Sequence, residues 1–155
     1  MKLSAGILLY RHSPNDGVLE FFLVHPGGPY FARKDAGWWT IPKGEPNEEE
    51  ELLATAIREF EEETGYKPKK PFYSLLPVKQ KGGKTVHCWA VEGDLDAEKI
   101  ICNTFTLEWP PRSGLQKSFP EIDRAEWFSL DDALKMINEQ QREFLLELWK
   151  RTGVE

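Results

Sequence analysis

Between residues 45 and 63 the chain carries nine glutamates against one arginine, a local charge of −8 in a protein whose total is −6. Carboxylates this dense repel one another. The segment is therefore either a solvated helix face or one side of a site that takes a counter-charge. Its apolar residues define the local geometry. Leu53, Ile57, Phe60 and Thr64 recur at helical spacing. Asn47 is a good N-cap with Glu50 at N3, a capping-box pattern, and Glu48 to Glu50 sit where a helix dipole favours negative charge. Gly65 supplies the stop. The spacing predicts a helix from the Asn47 cap to Gly65. On a wheel of about 100° per residue, Glu59, Glu62 and Glu63 share one side, about 120° from the apolar stripe. A hard divalent cation would turn their repulsion into attraction.

The remainder of the chain sums to +2, so one segment accounts for all of the net acidity. An acidic balance argues against binding a nucleic-acid polymer by backbone charge. The 155 residues suit one domain spanning 1–155. Nine Phe and six Trp are too many aromatics for a disordered chain. No apolar run approaches the roughly 20 residues of a membrane helix, and Met1 to Gly6 carries no secretory pattern. Cys88 and Cys102 lack metal-site spacing and are expected as reduced thiols in the core. A soluble, cytoplasmic protein with no membrane partner is expected.

Along the chain, Ser4 to Tyr10 and Leu19 to His25 read as strands joined by a Pro14-Asn15-Asp16-Gly17 turn. Pro26 to Gly37 reads as loop, and Trp38 to Ile41 as a short apolar run ending at Pro42-Lys43-Gly44. Lys84 to Glu92 alternates as a strand, Asp94 to Pro120 reads as a long irregular stretch, and Ala125 to Phe128 as a short strand. Ser129 caps a helix with Asp132 at N3, and a last helix runs from about Gln141 to Arg151. Strands and helices mixed in one short chain predict an α/β or α+β sandwich.

Gly44 is followed by five residues and Glu50; seven more lead to Arg58-Glu59-Phe60-Glu61-Glu62-Glu63-Thr64-Gly65-Tyr66. This resembles the Nudix hydrolase signature, G-x5-E-x7-R-E-U-x-E-E-x-G-U with U a bulky aliphatic. All seven fixed positions match, at Gly44, Glu50, Arg58, Glu59, Glu62, Glu63 and Gly65. Phe60 and Tyr66 depart from the usual aliphatics but stay apolar. Trp39 to Gly44 and the Trp127-Phe128 strand before Ser129-Leu130 resemble other parts of the family, so the likeness covers most of the chain. It implies an α/β/α sandwich around a mixed sheet. It also implies Mg²⁺-dependent cleavage of a nucleoside diphosphate linked to another group, with Mn²⁺ as an alternative cation. By the same resemblance Glu59, Glu62 and Glu63 would be metal ligands, with the Gly44 carbonyl as a further donor. Arg58 would hold a carboxylate of the signature through a bidentate pair. Glu50 lies opposite Glu59 on the wheel, where capping and loop anchoring are favoured over ligation.

The general base is expected outside the signature. Glu121 stands before the last strand, where family members often carry it; an ordinary loop carboxylate is the alternative. Glu108 and Glu126 are weaker candidates, and His87 could face the cleft or the core. Lys43 replaces the Gly common in nucleotide-sanitising members and resembles the diadenosine tetraphosphate hydrolases. It could meet a distal phosphate, with Arg33, Lys79, Lys81 and Lys84 extending the patch. Tyr30, Trp38, Trp39 and Trp109 could stack on bases or simply pack. The expected substrate is a small nucleotide, a dinucleoside polyphosphate first, bound by a monomer or homodimer. The alternatives are a MutT-like sanitising triphosphate pyrophosphohydrolase and a non-catalytic nucleotide-sensing Nudix domain. The sensor is disfavoured because every carboxylate of the signature is kept.

Overall fold

Two-residue alternation builds the centre of the molecule, which a computed structural model describes for residues 2–152. Strand β1 (Leu3–His12) turns its odd residues Ala5, Ile7 and Leu9 to one face and Leu8 and Tyr10 to the other. Strand β2 (Leu19–Pro26) does the same, with Phe22 and Val24 against Leu19, Phe21 and Leu23. Both faces are apolar, so the sheet must be covered on both sides. The strands are joined by the expected turn, in which Gly17 has a positive φ of 75°.

Strand β3 (Lys43–Gly44) pairs antiparallel with the start of β1, through Ala5 with Gly44 and Gly6 with Lys43. Helix α1 (Leu52–Thr64) follows and ends on Gly65 in the left-handed conformation. It starts later than the Asn47 cap predicted. Glu49 has a φ of 63°, and Glu50 N–H donates to the Asn47 carbonyl, so residues 47–50 form a turn before the helix. The packed stripe is Leu52, Ala56, Ile57 and Phe60 with Thr64 buried at its end, so Ile57, Phe60 and Thr64 lie as predicted and Leu53 stays outside it.

Short strands β4 (Tyr73–Ser74) and β5 (Val78–Lys79), which the sequence did not announce, pair with β6 (Thr85–Glu92). β6 runs parallel to β1. The segment 94–120, read from sequence as irregular, instead contains a 3₁₀ turn (Ala97–Lys99) and a hairpin of β7 (Thr104–Glu108) and β8 (Gln116–Pro120). The missed signal is the alternation Thr104-Phe105-Thr106-Leu107-Glu108, which places Phe105 opposite Phe119. Strand β9 (Ile122–Phe128) then closes the main sheet beside β2, giving the order β4-β6-β1-β2-β9.

Helix α2 (Leu130–Met136) is capped by Ser129, whose Oγ accepts from the Asp132 N–H as predicted, and α3 (Arg142–Arg151) ends the described fold. Ala133, Ile137, Phe144, Leu145 and Leu148 cover the face of Leu8, Phe21 and Cys88. Ala56 and Phe60 of α1 cover the face of Ile7, Leu9 and Phe22. This is the expected α/β/α sandwich around a mixed sheet. Cys88 is buried and free, and burial pushes its thiol up; Cys102 is free and only partly buried. Among the described residues no helix is long and apolar enough to cross a membrane.

Phe60 is fully buried and meets Phe22 with ring centroids 5.9 Å apart. Removing the ring leaves a cavity between α1 and the sheet. Phe60→Ala should lower unfolding stability by about 3–5 kcal/mol in denaturant titrations. A loss below about 1 kcal/mol would show that α1 does not depend on this packing.

Candidate functional site

β3 brings the backbone of Gly44 against α1. A Cβ at this position would overlap the carboxyl group of Glu59, so glycine is what permits the approach. Around it, one guanidinium organises the acidic helix. Arg58 grips Glu50 bidentately, Nε to Oε2 and Nη2 to Oε1, both at 2.9 Å. Its Nη1 donates to Glu59 Oε2 at 2.9 Å and to Glu62 Oε2 at 3.2 Å, and Nη2 also donates to the Glu45 carbonyl at 3.1 Å. The carboxylate that Arg58 holds bidentately is thus that of Glu50.

Glu50 Oε1 also accepts from Thr55 Oγ1 at 2.8 Å and from the Asn47 N–H at 3.0 Å. Both of its oxygens are engaged in anchoring the turn. The Arg58 hydrogen bond first, then the Asn47 N–H, holds its carboxyl down at about 2.

Glu63 is 7% exposed and faces the sheet beside β3. Burial first, then the charges of Glu59 and Glu121, pushes its carboxyl well above the ordinary range; burial also raises that of Glu59. Burial chiefly, and then Lys84, lowers the Lys43 ammonium. Glu63, Lys43 and Glu121 line one cavity of about 290 Å³, whose walls include Phe31, Phe105 and Ile122.

Glu121 is not on the long loop that the sequence suggested. It is the one residue between β8 and β9, and backbone bonds fix it. Its N–H donates to the Asn103 carbonyl at 2.9 Å, while its carbonyl accepts from Gly27 at 2.8 Å. Asn103 N–H in turn donates to the Glu62 carbonyl at 3.0 Å, which ties this corner to α1. Glu108 is spent on the Gly114 N–H, and Glu126 is exposed. His87 is half-buried on β6 and does not line the cavity.

Among the cations named from sequence, Lys43 lines the cavity; Arg33, Lys79 and Lys81 are exposed outside its lining, and Lys84 pairs with Glu45 at 3.2 Å. Trp39 is fully buried with its Nε1 donating to Asp35, so its role is packing. Tyr30 and Trp38 are exposed; Tyr30 packs edge-on to Trp109 at 5.3 Å and Trp38 against Phe31 at 5.8 Å. Phe31 and Phe105 were missed as site residues. Phe105 was hidden because its hairpin was read as irregular, and Phe31 carried no periodic signal in its loop.

Among the described residues no three His, Cys, Asp or Glu side chains converge into a closed metal cage, since Arg58 draws Glu59 and Glu62 to itself. The chemistry of the donors nevertheless fits a divalent cation. Glu59 and Glu121 are close enough to disfavour the charge on Glu63, and carboxylate oxygens are hard donors.

A sandwich of this topology, with an acidic helix set against a glycine strand, is that of the Nudix enzymes. The family model for the NUDIX domain matches residues 2–148, and the chain belongs to this family. It is 54% identical over 113 residues to an mRNA-decapping protein g5R of African swine fever virus, covering 66% of this chain and 41% of the viral one. It is 34% identical over 98 residues to Nudix hydrolase 10 of Arabidopsis thaliana, covering 63% of this chain and 31% of that one. The chain thus spans well under half the length of these curated relatives. A crystal structure of a C. elegans Ap4A hydrolase binary complex superposes with a TM-score of 0.67 at 23% identity, covering 99% of this chain and 98% of that one. That last likeness establishes the fold. Nudix enzymes generally use divalent metal ions.

The depressed Glu50 carboxyl makes a prediction with a definite sign. Its native value of about 2 lies below that of an unfolded Glu, about 4.3. The Arg58–Glu50 contact therefore stabilises the fold fully above about pH 4.3 and is lost as pH falls toward 2. Glu50→Gln should be less stable than the wild type at pH 7, and the gap should narrow between about pH 4.5 and 2.5 in chemical denaturation. A gap that stays constant with pH would rule out this linkage.

Proposed function

We propose that this chain is a divalent-cation-dependent pyrophosphohydrolase, served by Mg²⁺ first and Mn²⁺ second. It cleaves a phosphoanhydride in a substrate where two nucleosides are bridged by a polyphosphate, with diadenosine tetraphosphate the first such substrate. The observation that carries the reading is the cavity in which Lys43, Glu63 and Glu121 lie beneath Phe31 and Phe105. It combines a phosphate-facing cation, carboxylates and aromatic walls that suit a nucleobase. At about 290 Å³ it is at the small end of ligand cavities, which suits one end of a bridged molecule. The second nucleoside would lie outside it, where Tyr30, Trp38 and Trp109 form an aromatic margin.

The cation would be held by Glu59, Glu62, Glu63 and the Gly44 carbonyl. When bound, it would activate a water and neutralise charge on the pyrophosphate. The remaining work falls to the chain's own groups. Glu50 fixes Arg58, and Arg58 orients Glu59 and Glu62. Lys43 donates to a phosphate oxygen as a point charge. Glu121 accepts the proton of the attacking water at its carboxylate. Arg33 and Lys81, outside the cavity, would be reached only by the far part of a long substrate.

A second reading has its own support. The viral relative at 54% identity is named an mRNA-decapping protein. A 5′ cap shares the defining chemistry, two nucleosides bridged through phosphates, so a capped RNA end could enter by its cap nucleoside. RNA beyond the cap would then contact the chain despite its net acidity.

Glu62→Gln and Glu63→Gln should each lower kcat by roughly 10²-fold or more with circular dichroism unchanged. Full activity in excess EDTA would falsify the metal assignment. For substrate class, kcat/KM should be compared at equal Mg²⁺ for diadenosine tetraphosphate, a capped RNA oligonucleotide, ATP and an oxidised guanine triphosphate. The bridged substrates should lead ATP by about tenfold or more, the scale of one added charge-assisted contact. A lead for the oxidised triphosphate would move the enzyme to the sanitising class, and Lys43→Gly should then matter little.

A further inference from the structure

The loop of residues 27–38, which supplies Phe31 to the cavity, is tied down by a charge cluster built on one buried histidine, outside the proposed chemistry. His25, near the end of β2, is fully buried. Its Nδ1 lies 2.7 Å from Asp123 Oδ1 and its Nε2 lies 2.6 Å from the Lys34 backbone oxygen. Both partners are acceptors. A carbonyl oxygen has no proton to give, and an ionised carboxylate has none either. A neutral imidazole donates from one nitrogen only, leaving the other contact as acceptor against acceptor. The ring that satisfies both contacts carries a proton on each nitrogen.

The surroundings match that charge. Arg124 of β9 lies 3.6 Å from Asp35 Oδ1 and 3.9 Å from Asp123 Oδ1, and its Nη2 donates to the same Lys34 oxygen at 3.5 Å. Two cations, His25 and Arg124, thus meet two anions, Asp35 and Asp123. The His25 and Trp39 rings stand edge to face at 5.4 Å, and Arg124 lies over the Trp39 ring at 5.2 Å. The Lys34 ammonium lies over Trp38. These are the charged groups that β9 and the loop bring to the cluster.

The cluster sits where it can govern the cavity. Lys34 is three residues beyond Phe31, and Pro26 and Gly27, directly after His25, line the cavity. We propose that His25, donating from both ring nitrogens, is a positioning residue that latches loop 27–38 onto β9 and so holds Phe31 in the cavity wall facing the nucleoside. The substrate part of this inference rests on the proposed reading of the cavity. A side chain with a single donor would give up either the Asp123 contact or the shorter of the two bonds at the Lys34 carbonyl, leaving Arg124 as that oxygen's donor and the loop less tightly held. The carboxylates on α1 are not in this network, so the effect falls on substrate hold and not on the chemical step.

The test uses the full chain with ¹⁵N-labelled histidine. Near pH 6, both His25 ring nitrogens should carry protons in the NMR spectrum. In His25→Gln, which can donate to only one partner, amide exchange in loop 27–38 should accelerate. The KM for diadenosine tetraphosphate should rise about tenfold in the same variant, with kcat altered by less than about twofold. A singly protonated ring at pH 6, or loop exchange unchanged in His25→Gln, would overturn the latch. The NMR measurement needs neither substrate nor variant, so it decides the latch even if His25→Gln does not fold. A failure of the substrate reading would show separately, as no hydrolysis of bridged dinucleotides with the latch signature intact.

Discussion

One guanidinium makes the acidic helix possible. Without Arg58, the carboxylates of Glu50, Glu59 and Glu62 would meet around an uncompensated volume at the edge of the fold. With it, Glu50 is held by two parallel bonds, while Glu59 and Glu62 share the remaining nitrogen. A planar donor fork suits this role; a lysine would offer a point charge and lose the bidentate geometry. The arrangement is asymmetric in its consequences. Glu50 is satisfied by four donors, whereas Glu59 receives Arg58 on one oxygen only and Glu62 shares the same nitrogen across both of its oxygens at 3.2 and 3.3 Å. Glu63, which receives no bond from Arg58, is the carboxyl that burial penalises most. The helix therefore separates its own acids into anchored and available groups.

The sheet determines where the available ones point. β1 pairs with β2 at Tyr10 to His12 and with β3 at Ala5 and Gly6, so β3 enters alongside β1 where the β2 register does not run. A strand of two residues suffices because it need only carry Lys43 and Gly44 past α1. Gly6 reinforces the constraint: a Cβ there would collide with Pro42 and Lys43. Two glycines on adjacent strands thus allow a backbone carbonyl, a lysine and the helix carboxylates to crowd into one corner. Close approach of this kind is expensive to build with larger residues, and it explains why spacing between Gly44 and Glu59 is informative about geometry.

Much of this was legible because it is local. Strand alternation, the Ser129 cap, the Gly65 stop and the one-sided carboxylates all express a period or a cap that neighbouring residues define alone. The helix start was misread because the Asn47–Glu50 capping pattern is real but closes a turn instead of opening α1: Glu50 does accept from the Asn47 N–H, yet Glu49 adopts a left-handed conformation that no helix continues through. The segment 94–120 was misread for a different reason. Its prolines and its Ser113-Gly114 pair are genuine turn signals, and they masked the short alternation on either side. Least legible were Phe31, Phe105 and the His25–Asp123 contact, which depend on residues 74 and 98 positions apart meeting in space. No local pattern encodes such a meeting.

The division between local and distant residues is also a division of chemical labour. Glu59, Glu62 and Glu63 lie on one helix, where fixed spacing controls the distances between them. The cavity walls come from a loop, a hairpin outside the main sheet and the junction before β9, three elements joined mostly through backbone bonds and the His25 cluster. Changes in those walls can alter the fit of a nucleoside without moving Glu59, Glu62 or Glu63, because none of the wall elements contributes a bond to Arg58. Glu121 is the exception. Its N–H is linked through Asn103 to the carbonyl of Glu62, so the junction that shapes the cavity is also held in register with the helix. A carboxylate placed there stays aligned with the acidic face while the aromatic walls remain free to diverge.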